Sequence, residues 1–209
     1  MKASTTILYN RALFLSFFSV FYNIIEGFIS VLLGIKDETL TLLGFGFDSF
    51  IEVVSAIGIT VMIIRMRKNK ETNRSEFEVQ ALKVTGVSFY LLSIGLSAGI
   101  ITNLLTNHKP ETALWGIIIS VVSIIVMIWL MLAKKKVGVK LNSEPIIADS
   151  NCTKICIYMS VVLLVASLIY EYTGFAYADA IGTAGLVYFS FSEGKEAFEK
   201  AKGKQKCKC

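Results

Sequence analysis

The chain has 209 residues, of which 54% are apolar and only 18% charged, with a formal net charge of +5. Soluble domains average roughly 25% charged residues, and a soluble fold of this size cannot hide so much apolar side chain, so most of the chain should be surrounded by lipid. The mean hydropathy of +0.63 excludes a disordered chain, and four Cys in 209 residues are too few for a disulfide scaffold.

Runs of about 20 apolar residues mark membrane-spanning helices, and six are predicted in chain order: about Ala12–Gly34, Leu40–Ile64, Val79–Leu105, Ala113–Ala133, Pro145–Tyr170 and Phe175–Phe191. They are continuous rather than alternating, which argues against a membrane β-barrel. The first run is longer than the apolar core of a cleavable signal peptide, so no cleavable signal is expected. The fold class is therefore an all-α integral membrane protein. Residues 1–192 read as one six-helix transmembrane domain and residues 193–209 as a short basic tail containing Cys207 and Cys209.

Orientation follows from the basic residues. Of the 21 Lys and Arg, only Lys36 and Lys109 fall in the first, third and fifth connections. Most of the rest lie at the N-terminus, in 65-RMRKNKETNR-74, in 134-KKKVGVK-140 and in the tail. Positive loops stay cytoplasmic, which puts both termini inside and makes the cell membrane the expected location. Charges split over four segments read as topogenic signals, and no nucleic-acid partner is expected. Trp115, Tyr170, Tyr172 and Tyr177 fall at the outer ends, where an aromatic belt belongs.

Ionisable side chains inside a bilayer are costly and tend to mark function. The second span carries Asp48 and Glu52, one helical turn apart on one face. The fifth carries Asp149, Cys152 and Cys156 at i, i+3 and i+7, again on one face. Glu52 and Cys156 each lie about 18 Å into their spans at roughly 1.5 Å per residue, close to mid-membrane. Asp48, Glu52, Cys152 and Cys156 would surround one ion with two oxygens and two sulfurs, a set that favours Zn²⁺, Cd²⁺ or Cu⁺ over Mg²⁺ or Ca²⁺. Two other readings stay open: an acidic pair serving as a proton relay or helix–helix hydrogen bond, and two Cys serving as small packing residues. Glu26 is a further acid near mid-membrane, either a proton carrier or a paired structural group. Cys207 and Cys209 read either as metal capture or as a reduced, unstructured tail. Gly95 and Gly99, and the small residues around Gly182, read as helix packing or as contacts of a homodimer.

With these motifs, the chain resembles the cation diffusion facilitator family of divalent-metal/proton antiporters. The segment 47-FDSFIEVVSA-56 is similar to that family's second-helix motif, with Asp48 and Glu52 in its two ligand places. The segment 148-ADSNCTKIC-156 repeats the spacing of the fifth-helix motif, with Cys152 and Cys156 where His and Asp stand in the family. Asn23 and Asp179 resemble recurrent polar positions and join Asp149 and Glu26 as candidates for an accessory metal or proton path. The chain reads as a short branch lacking the family's C-terminal cytoplasmic domain. The resemblance implies efflux of Zn²⁺ or a softer divalent ion in exchange for protons, with the metal as cargo and no permanently bound cofactor. The alternative is a non-transporting membrane metal sensor or accessory subunit. An intramembrane thiol oxidoreductase fits poorly, because 152-CTKIC-156 is not C-x-x-C. No enzymatic motif is evident.

Overall fold

A computed structural model describes residues 2–69, 76–106, 109–175 and 177–203, with side chains described from Thr6 onward except at positions 68, 69, 144, 145 and 148. The described residues form six α-helices: α1 (Lys2–Lys36), α2 (Leu40–Asn69), α3 (Glu76–Thr106), α4 (Leu114–Leu141), α5 (Glu144–Thr173) and α6 (Ala178–Ala201). No strand occurs among them. In lipid every backbone polar group must be paired internally, and a helix does this within one segment.

Five of the six helices are long and apolar enough to cross a membrane: α1 to α4, and α5 from Asp149. α6 is not, which differs from the six spans expected. Its apolar part is shorter, and its last three turns carry Glu193, Lys195, Glu196, Glu199 and Lys200. The predicted end near Phe191 is also too early. The helix continues to Ala201, so the first half of the expected tail is helical. Cys207 and Cys209 lie outside the described residues, as does His108.

α1 packs along α2, α4 along α5 and α3 along α6, while α2 also touches α3, α5 and α6. The side chains sort in reverse of a soluble bundle. On α1, Phe14, Phe17, Phe21 and Phe28 are exposed, whereas Ser16, Ser19, Asn23, Glu26 and Ser30 are buried at alternating steps of three and four. On α4 the buried stripe is Ser120, Ser123, Met127, Leu130, Lys134 and Val137. Small and hydroxyl side chains let helices approach closely and hydrogen-bond across interfaces. At Gly182 an added Cβ would come within 2.5 Å of Ala166 Cβ and 3.0 Å of Thr41 Oγ1, so α6 needs a glycine there to meet α5 and α2. Gly99 packs on Leu40, but Gly95 has nothing within 4 Å.

The two ends of the bundle differ. At the end carrying the basic segments, Arg65 grips Glu78 with two bonds of 3.1 and 2.9 Å, joining α2 to α3. At the other end, Asp179 accepts the amides of Leu40 and Thr41, both at 3.0 Å. These are orphan donors of the first turn of α2, and a carboxylate there also meets the positive end of the helix dipole. Thr41 Oγ1 donates in turn to the Asp179 carbonyl at 2.7 Å. Tyr170 donates to the Pro110 carbonyl. Gly174, with φ of 63°, closes α5 in the left-handed conformation that glycine adopts without a Cβ clash. Between this end and the middle of the bundle, Leu42, Phe45, Leu96, Met159, Leu163 and Leu186 pack into an apolar plug.

Candidate metal site

A cavity of about 70 Å³ opens in the half of the bundle that carries the basic segments. That is room for several waters, since one needs at least about 10–15 Å³ of such space. Its wall takes Asn23 from α1, Glu52 from α2, Lys134 from α4, Asp149, Cys152 and Cys156 from α5, and Glu193 and Lys200 from α6. A second cavity of about 50 Å³ shares Asp149, Cys152 and Lys200 and extends to Glu78. Helical spacing explains the α5 contribution: residues 149, 152 and 156 fall on one face, and that face points inward.

The structure brings Glu52 and Cys156 together. The Cys156 thiol donates to Glu52 Oε1, and Asn23 Nδ2 donates to Oε2 at 3.0 Å. One carboxylate thus ties α1, α2 and α5. Asp48 is only 2% exposed, and its Oδ1 has no hydrogen-bond partner among the described residues. A buried carboxylate oxygen left unpaired is costly, and a cation would satisfy it.

The four expected ligands are not gathered into one cluster. Among the described residues, no three His, Cys, Asp or Glu stand close enough to hold a metal ion. Two lysines stand among the acids and thiols at the cavity wall. Cys152 Sγ accepts from Lys200 Nζ at 2.8 Å. The same ammonium pairs with Glu196 Oε1 at 2.8 Å, as a charge contact without hydrogen-bond alignment. Asp149, a candidate for the accessory path, pairs with Lys134 at 2.9 Å. Asp48 does not line the cavity. Cys152 and Cys156 are both free thiols, and their side chains engage different partners.

Of the accessory residues, Asn23 sits directly on Glu52. Glu26 is buried behind it, accepting from Tyr22 at 2.8 Å and from Ser49 at 3.1 Å. Ser49 ties Glu26 to α2, and Glu26 does not line the cavity. Asp179 does not line the cavity either. Its two oxygens accept the α2 amides, so in this structure it caps that helix.

Sequence reading missed Lys134, Glu193 and Lys200. Lys134 read as part of a topogenic cluster, yet it is 5% exposed and also donates to Ser19 at 3.4 Å. Its signal was the α4 stripe itself: position 134 continues the inward series 120, 123, 127, 130. Glu193 and Lys200 were hidden by ending α6 too soon.

Comparison with known proteins fits this picture. The family described as the cation efflux transmembrane domain matches residues 13–201. An uncharacterized transporter of Methanocaldococcus jannaschii is 27% identical over 173 residues, which are 81% of this chain. The chain spans 60% of that relative's length.

Proposed function

The chain belongs to the cation efflux family, and from that premise we propose that it carries a thiophilic divalent cation, Zn²⁺ or Cd²⁺, out of the cell in exchange for protons. The observation that carries the reading is the pairing of Glu52 with Cys156 across α2 and α5, on the wall of a polar cavity deep in an apolar bundle. The cargo would finish between Glu52, Cys156, Asp48 and Cys152, with Asn23 orienting Glu52.

Charge gives the coupling. Four ionised ligands would place four negative charges against two on the metal, a costly imbalance in a low dielectric. The Cys156 thiol donates a hydrogen bond to Glu52, so the pair holds at least one proton before metal enters. Thiolate and carboxylate must be deprotonated to ligate, so metal entry releases protons, and their return weakens the site. The apolar plug from Leu42 to Leu186 supports an arrangement closed on one side and open toward the basic end, which the positive-inside rule assigns to the cytoplasm. A homodimer would have the open face at Gly95 available for contact between copies.

Purified protein in liposomes with an imposed pH gradient tests this. Metal flux should run opposite to the proton gradient and collapse when a protonophore dissipates it. Flux indifferent to the gradient would remove the exchange. Binding with no flux under any gradient would favour a sensor or accessory subunit instead.

A further inference from the structure

Lys200 is an ammonium group on the last turn of α6, well beyond the apolar part of that helix. It does not snorkel away from the bundle, as lysines near helix ends commonly do. Its side chain is only 13% exposed, and Nζ lies 2.8 Å from Cys152 Sγ and 2.8 Å from Glu196 Oε1. Sulfur and carboxylate oxygen thus flank a tethered cation at the wall of the polar cavity, with Glu193 on the same wall.

We propose that the Lys200 ammonium is a built-in competitor of the cargo: it occupies the first docking position on Cys152, and an entering divalent cation must displace it. This rests on the function proposed above, and adds that the end of α6 sets how tightly the site loads. Three observations converge. The ammonium already sits between a soft and a hard donor, the two kinds the cargo would use. Cys152 thus engages an ammonium while Cys156 engages Glu52, and among the described residues no three candidate ligands form one cluster. Lys134 does the same to Asp149 at 2.9 Å, so the cavity carries its own positive charge. Displacing a fixed charge costs any divalent ion a similar Coulomb energy whatever its softness. Lys200 therefore controls affinity, while the sulfurs control selectivity.

The test is Cd²⁺ binding to the full chain in detergent, read by the ultraviolet charge-transfer band of cadmium thiolate, with Mn²⁺ followed by competition. Lys200→Met keeps the length and removes the charge, whereas Lys200→Arg keeps the charge. Lys200→Met should bind Cd²⁺ about tenfold more tightly, with a similar gain for Mn²⁺, because a like charge beside the ion has gone. Lys200→Arg should stay within about twofold of the parent protein, since its charge is retained. A Lys200→Met midpoint equal to the parent's, or weaker while Lys200→Arg is normal, would overturn the proposal and make Lys200 a structural tether. Absence of the band from the parent and Lys200→Met alike would instead remove the metal site itself, a separate failure.

Discussion

Replacing Cys152 and Cys156 together by serine lowers Cd²⁺ affinity on the order of 100-fold and leaves Mn²⁺ within about threefold, because sulfur ligands favour soft ions while carboxylates suit Mn²⁺. The substitution nearly keeps the size of the side chain and keeps its hydrogen bonds. A serine hydroxyl at position 156 could still donate to Glu52, and one at position 152 could still accept from Lys200, so the polar contacts seen there survive. Packing changes little, since Cys156 belongs to an apolar cluster in which a small side chain suffices. What changes is the softness of two donors. Equal losses for Cd²⁺ and Mn²⁺ in binding titrations would show that neither sulfur is a ligand and that the Cys residues serve packing alone.

Glu52→Gln abolishes metal-dependent flux and weakens binding by at least about 100-fold, because even residues that merely orient a ligand are worth about 10–100-fold. The variant retains the shape and loses the charge. Glu52 accepts from both Asn23 and Cys156. Gln can accept only through its single oxygen, so one of the two donors is left facing an NH₂ group. The helix contacts around it are otherwise unchanged, and removing a buried charge offsets part of that loss. A melting temperature within a few degrees of the parent's, alongside lost flux, separates a functional defect from a folding one. Flux at the parent's level in Glu52→Gln would take the carboxylate out of the transport cycle.

Much of this architecture was legible in the sequence because lipid imposes strong patterns. The apolar runs located α1 to α5, and the acid at position 52 and thiol at position 156 were matched in depth by counting residues. Equal depth allows their contact, but that α2 and α5 meet there comes from the fold. The partners of Cys152 and Asp149 were not legible, because they are two lysines on other helices. Lys134 and Lys200 look like loop charges when the helices are ended at the last apolar residue. In the structure the helices continue, and their stems carry the ammonium groups back to Asp149 and Cys152. The capping contact of Asp179 was not legible either, because only the tertiary fold brings it to the α2 amides 138 and 139 residues away. Glu193 was lost for the same reason as Lys200, with α6 ended too soon.

The most direct measurement is X-ray absorption at the zinc edge on the Zn²⁺-loaded full-length protein. Two sulfurs at about 2.3 Å and two oxygens at about 2.0–2.2 Å are expected if the α2 acids and the α5 thiols close on one ion. A shell made only of oxygen or nitrogen would contradict the account, because it would leave both thiols outside the coordination sphere.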